Sequence, residues 1–198
     1  MTTSSDDPEL ALGRRHGWPD DLRVLLERYP REVWDGHPNL GQMAQFWLAR
    51  HDMFRELSDA LFKATHAVRE GDIPPAQFRQ WFAPRMNFFL GELQSHHMIE
   101  DHHYFPVFIE AEKRLVKGFE ILENDHETIH HGLEELARSA QMLTQAIDGN
   151  TPLVMKASDG FADVSDGFLK LLRQHLADEE DLIVPVILDR SEAGLGLY

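Results

Sequence analysis

Four long stretches of this chain repeat apolar residues at steps of three and four, and that period leaves little choice but long amphipathic helices. The first runs from about Leu40 to Glu70, with Leu40, Ala44, Trp47, Phe54, Leu57, Leu61, Ala64 and Val68 on one stripe. The second covers about Ala76 to His103 through Phe82, Met86, Phe89 and Leu93. The third covers about Val116 to Ile147 through Phe119, Leu122, Ile129, Leu133, Leu136, Ala140 and Leu143. The fourth runs from near Pro152 to about Leu188 through Phe161, Phe168, Leu172 and Ile183. Breaker runs separate them: Gly71-Asp72-Ile73-Pro74-Pro75 and the turn Asp148-Gly149-Asn150. Pro84 predicts a kink or restart in the second helix, and Pro106 and Pro185 should end or bend the second and fourth. Strand signals are weak throughout. Short connections between long helices make an all-α, antiparallel up-down four-helix bundle the expected fold.

Ahead of the bundle, residues 1–17 read as a polar tail, and a short helix is expected from Pro19 to Tyr29, ended by Pro30. Gly36 and Pro38 mark a loop over Trp34 to Asn39. The expected division is a tail with a short helical extension over 1–38, the bundle over 39–190 and a C-terminal tail over 191–198. A chain of 198 residues is long enough for one full core. No apolar run approaches the ~18 residues of a membrane span, and Met1 to Glu9 lacks the apolar centre of a signal peptide. With no cysteine, disulfides, thiolate ligands and thiol nucleophiles are excluded, which fits a cytoplasmic protein. A formal charge of −15 argues against nucleic acid and acidic membranes as partners. Nothing matches a P-loop, a GxGxxG or a GxSxG.

The informative residues are those that interrupt the stripes. In the first helix it is His51, in the second His96 with Glu100, in the third His126 with His130, and in the fourth His175 with Glu179. Residues four apart on a helix turn only ~40° past a full circle, so each pair shares one face. Five imidazoles and two carboxylates would then converge on the bundle axis. Such groups are costly in a core when unpaired and are satisfied around two divalent cations. The spacing supports the convergence. His51 to His96 and His130 to His175 are each 45 residues. His96 and His175 begin the same frame, with a glutamate four residues on, an acidic residue five on and a proline ten on. Two related hairpins would each supply half the ligands, and a carboxylate from each half could bridge two metals ~3.5–4 Å apart.

The ordered set His51, His96-x3-Glu100, His126-x3-His130 and His175-x3-Glu179 resembles the hemerythrin-like, or HHE cation-binding, family over roughly residues 40–190. The resemblance implies a non-heme di-iron centre, two iron ions with a bridging oxo or hydroxo group, held by those seven residues. Oxygen-carrying hemerythrins place an aspartate five residues after the last histidine. Here Glu179 stands at +4 and Glu180 at +5, so the two compete for the last ligand role. Histidine and carboxylate ligands also suit manganese, zinc or cobalt.

Other residues near the set have ordinary readings. His97, His102, His103 and His131 flank the ligand positions and read as solvated or supporting histidines, with His102 and His103 close enough to shuttle a proton. Tyr104 reads as a phenol packed under a helix end. Asp101, Asp125 and Asp178 are candidates to orient imidazoles. A centre rich in imidazole carries less negative charge than one built on four carboxylates, so it should favour binding or sensing dioxygen, peroxide or nitric oxide over oxidising C–H bonds. A di-metal oxidase, peroxidase or nitric-oxide-handling enzyme is the second expectation, and metal storage or a structural cation site the third. A homo-oligomer stays open.

Overall fold

The computed structural model describes residues 8–149 and 152–197. Expectations that fall on residues 1–7, on Asn150 and on Tyr198 lie outside the described residues. Within them the regular structure is helical and contains no strand, as a helical bundle requires. The helices are α1 (Val24–Arg28), α2 (Gln42–Glu70), α3 (Pro75–Ile99), α4 (Phe105–Ala111), α5 (Val116–Asp148), α6 (Val154–Arg190) and α7 (Glu192–Leu195). Among the described residues no helix is long and apolar enough to cross a membrane.

The prolines act more gently than their sequence positions predict. Helix α3 runs through Pro84 without a break, and α6 passes Pro185 and continues to Arg190. Pro106 ends nothing: it stands in the first turn of α4, where a missing N–H costs no intrahelical bond. Between α3 and α4 the chain makes one π-helical turn, Glu100–Tyr104, in which the Phe105 N–H reaches back five residues to the Glu100 carbonyl. The first short helix is also later than expected. Leu22 and Arg23 bond back three residues, to Pro19 and Asp20, and α-helix begins only at Val24.

Contacts divide the chain into two compact units. The first holds the residues up to Asp52, His97–Glu127 and the chain from Arg173 onward. Its core joins Trp18, Leu22, Leu25 and Trp34 of the N-terminal segment to Phe105, Phe108 and Phe119 and to the run from Leu182 to Leu188 in α6. That run is buried almost all round, so it needs cover on every side. The N-terminal segment supplies part of it and is tied down by polar contacts. Arg31 donates to Glu180, Asp181 and the Ala177 carbonyl, Arg28 to Asp189, and Asn39 to the Leu188 carbonyl. The first turn of α2 is capped from α7, where Glu192 accepts the Ala44 N–H at 2.8 Å. A side chain at Gly41 would collide with that carboxylate.

The second unit, Met53–His96 with Thr128–Leu172, is built on aromatic rings. Phe78 stacks on Phe82, which meets Phe161 edge to face with centroids 5.2 Å apart. Phe89 meets both Phe54 and Phe168 the same way at 6.2 Å. Such pairs add roughly 0.5–1.5 kcal/mol each beyond the area they bury.

At the end of α4, the buried Glu112 accepts two bonds from the Arg114 guanidinium, at 2.7 and 2.8 Å, and the Arg114 N–H at 3.2 Å. Arg190 lies 3.4 Å away. The Arg114 hydrogen bonds above all hold the Glu112 carboxyl at about 2, against an ordinary 4.5. A depressed carboxyl stabilises the fold above its unfolded pKa and loses that contribution as pH falls through the folded one. Both arginines are about half exposed, so solvent screens most of the gain. Glu112→Gln is therefore expected to cost about 1 kcal/mol at pH 7. In urea titrations the gap to the unaltered chain should close between about pH 4.5 and 2; a gap that does not change with pH contradicts this account.

Candidate metal centre

Two groups of buried ligand-bearing side chains come together. His51, His96, Glu100 and Glu179 each offer an atom within 4.8 Å of the others, and so, separately, do His97, His126 and His175. The helices explain the grouping. His96 and His97 are adjacent on α3 and so diverge by about 100° around it. Glu100 follows His96 by four residues and His97 by three, which puts it on the face shared by both. His51 on α2 and Glu179 on α6 complete the first group, and His126 on α5 and His175 on α6 the second.

The two glutamates link the groups. Glu100 Oε1 lies 4.0 Å from His51 Nε2, and its Oε2 lies 3.8 Å from His126 Nε2. Glu179 Oε2 lies 3.5 Å from the Nε2 of both His51 and His175. Each carboxylate thus faces an imidazole of either group. The Trp47 indole N–H fixes Glu100 further by donating to Oε1 at 2.6 Å.

Carboxylates behind the rings set which nitrogen faces the centre. Asp101 Oδ1 stands 2.7 Å from His126 Nδ1, and Glu180 Oε1 3.0 Å from His51 Nδ1. An ionised carboxylate can only accept, so Nδ1 carries the proton and the Nε2 lone pair is turned to the group. Asp125 lies behind His175 at 3.6 Å from Nδ1, an electrostatic contact too long for a direct hydrogen bond. The His97 and His126 rings stack nearly parallel, with centroids 4.1 Å apart.

The chemistry of this donor set fits a cation. Among the described residues neither Glu179 oxygen has a hydrogen-bond partner, nor does Nε2 of His126 or His175, and all of these atoms are buried. Leaving such atoms without a partner costs on the order of 1–3 kcal/mol each, more for a charge. Burial, then the neighbouring Glu100 and Glu180 charges, hold the Glu179 carboxyl well above the usual carboxylate range. Burial chiefly pushes His175 down to about 4, so its ring is a neutral lone-pair donor at neutral pH. Burial opposes charge on His51 too, but Glu100 and Glu180 outweigh it and raise that ring. A divalent ion would satisfy every one of these groups at once.

Of the seven residues expected from sequence, six stand in the two groups: His51, His96, Glu100, His126, His175 and Glu179. His130 is not brought to either. Its side chain is half exposed and faces Glu134 at 3.6 Å. The reason is the phase of α5, whose buried face steps from Leu122 to His126 and then three residues to Ile129, so His130 falls past the edge. His97 stands in the second group instead; its spacing of three from Glu100 was the available signal. Glu180 lies behind His51 while Glu179 joins the first group. His102 and His103 are exposed, and Tyr104 packs against the hydrophobic core. Sequence reasoning also passed over Arg15, whose side chain is wholly buried against Asp125 and Asp178.

Two outcomes test this geometry. His97→Ala should weaken divalent-metal binding by at least ~10-fold, and His130→Ala should leave it within about 2-fold, in titrations with Fe(II) or Co(II). The reverse order would restore His130 as the ligand. Metal binding should also release protons from Glu179 and His51, whose raised affinities favour the protonated forms. His175 has none to give above about pH 4. A dye-monitored titration in weak buffer that registers no acidification contradicts this assignment.

Compared with known proteins, the chain matches one family model, the hemerythrin HHE cation-binding domain, over residues 42–187. No curated protein and no solved structure matches it. The matched stretch contains all the residues of both groups, and this chain belongs to the hemerythrin HHE cation-binding domain family.

Proposed function

We propose that the protein holds two iron ions and binds or senses dioxygen or a related small oxidant. The observation that carries this reading is the pair Glu100 and Glu179, each facing imidazoles of both groups, with neither Glu179 oxygen hydrogen-bonded. Helices α2, α3, α5 and α6 would run up and down in alternation to present these ligands at one level. Iron in these places would supply a one-electron couple at each ion and an open coordination position. The protein's own part is to keep the donors ready. Asp101 and Glu180 hold His126 and His51 in the tautomer that faces the centre, and Trp47 anchors Glu100. Five imidazoles and two carboxylates return only two negative charges to two divalent ions. That balance stabilises high oxidation states less than four carboxylates would, and favours reversible chemistry.

Phe54 packs on the His96 ring and on Phe89, and Phe89 borders an apolar hollow with Leu61, Met86, Leu136 and Phe161. The two hydroxyls there, of Ser58 and Ser165, bond to helix carbonyls and leave the lining apolar. The hollow is small and its lining is almost wholly apolar. The larger cleft of about 350 Å³, beside Arg79, Asn87 and Gln141, includes none of the metal-site residues.

Anaerobic loading with Fe(II), metal analysis and a visible spectrum before and after aeration test the proposal. About two irons per chain and an absorption change that reverses on removing oxygen are expected. Irreversible oxidation with turnover of peroxide and a reductant would move the protein to the enzyme class. One iron or none per chain would overturn the di-iron reading.

A further inference from the structure

Arg15 precedes the residues that match the family model, and it sits among residues that a polar N-terminal tail would leave in water. Its side chain is nevertheless inaccessible to solvent. Nη2 lies 2.6 Å from Asp125 Oδ2 and 2.6 Å from Asp178 Oδ2, Nε donates to Asp178 at 2.7 Å, and Nη1 donates to the Leu10 carbonyl at 2.8 Å. The Trp18 ring lies 4.6 Å below the guanidinium, and its indole N–H donates to the Asp178 carbonyl at 2.8 Å. Gln174 Nε2 donates to both Asp178 oxygens at 2.9 Å. A guanidinium removed this far from water is held there by specific partners, since desolvating it is costly unless its donors are used.

The Asp125 oxygen that receives Arg15 is the same oxygen that lies 3.6 Å from His175 Nδ1. A carboxylate behind a metal-bound imidazole makes that imidazole a stronger donor. A guanidinium on the same oxygen draws the charge away and fixes the carboxylate's direction. We infer that Arg15 is a positioning residue of the metal centre, contributed from outside the family domain, which sets how strongly Asp125 acts on His175 and thereby tunes the potential of the bound metal. This inference rests on the proposed iron centre. The polar partners of Arg15 are Asp125, Asp178 and the Leu10 carbonyl, which lie outside the two groups. It acts through Asp125 on His175, in the group that contains no carboxylate.

The test compares the full chain with Arg15→Gln, Arg15→Lys and Asp125→Asn, each loaded anaerobically with Fe(II) and titrated in a spectroelectrochemical cell. Removing the positive charge leaves Asp125 fully anionic behind His175, so Arg15→Gln should shift the midpoint to lower potential and move the visible bands of the oxidised centre. Arg15→Lys should lie between Arg15→Gln and the unaltered chain. Asp125→Asn should shift the midpoint the opposite way, because the imidazole loses its anionic partner. If Arg15→Gln does not fold, the lysine and asparagine variants decide: opposite shifts support the inference, and unchanged potentials overturn it. An Arg15→Gln protein that folds, loads iron and keeps its midpoint and spectrum overturns it too, and makes Arg15 a purely structural clamp. An unaltered chain that takes up no iron defeats the metal reading first, and the role of Arg15 with it.

Discussion

Two carboxylates buried among imidazoles are the constraint around which the site is arranged. Glu100 and Glu179 are both fully buried, and the groups nearest to Glu179 are rings that are neutral or compete for protons. Burying an isolated carboxylate costs enough that the group ordinarily gives up its charge. The raised affinity of Glu179 is that response. It is a poor resting place for a protein, because among the described residues neither Glu179 oxygen has a hydrogen-bond partner. A cation reverses the balance, turning the carboxylate anionic and giving each lone pair a partner. Folding and metal uptake should therefore be linked in this chain, with the ligand residues as the link.

The geometry that makes this possible is a matter of helix phase on α3. Two adjacent histidines cannot face one point on a regular helix, yet both can share a glutamate three and four residues on. His96, His97 and Glu100 use that relation, so one helix serves two groups of ligands. The π-helical turn that begins at Glu100 then shifts the phase of the next residues along the chain. Asp101 reaches His126, while His102 and His103 turn to solvent. A single wide turn thus separates the residues that serve the centre from those that do not.

Much of this was legible in the sequence because the apolar period is strong. The limits of α2, α5 and α6 fall within two residues of those expected from the stripes. Where expectation and structure differ, a local rule met a stronger constraint. Pro185 sits in a helix whose neighbours on every side are buried, so packing holds the helix through the lost hydrogen bond. His130 satisfied the four-residue rule but not the phase of its own helix, since Ile129 already occupies the next buried step. His97 was hidden by the opposite habit, of reading one ligand pair per helix. Arg15 had no signal of its own, because nothing in a short polar segment announces a partner more than a hundred residues away.

The acidic character of the chain gives that N-terminal segment its importance. Asp101, Asp125, Asp178 and Glu180 all stand within reach of the two groups or of one another, adding negative charge to a centre that already holds Glu100 and Glu179. Burial above all raises Asp178, and its neighbour Asp125 raises it further. Two arginines oppose this, and both come from before α2: Arg15 between Asp125 and Asp178, and Arg31 on Glu180 and Asp181. Two of the carboxylates behind the imidazoles, Asp125 and Glu180, are thus themselves held by cations from a segment that precedes the matched residues. Without that segment, Asp125 behind His175 and Glu180 behind His51 would lose their counter-charges. The helices supply the ligands, while positive charge that balances the carboxylates behind them arrives from before α2.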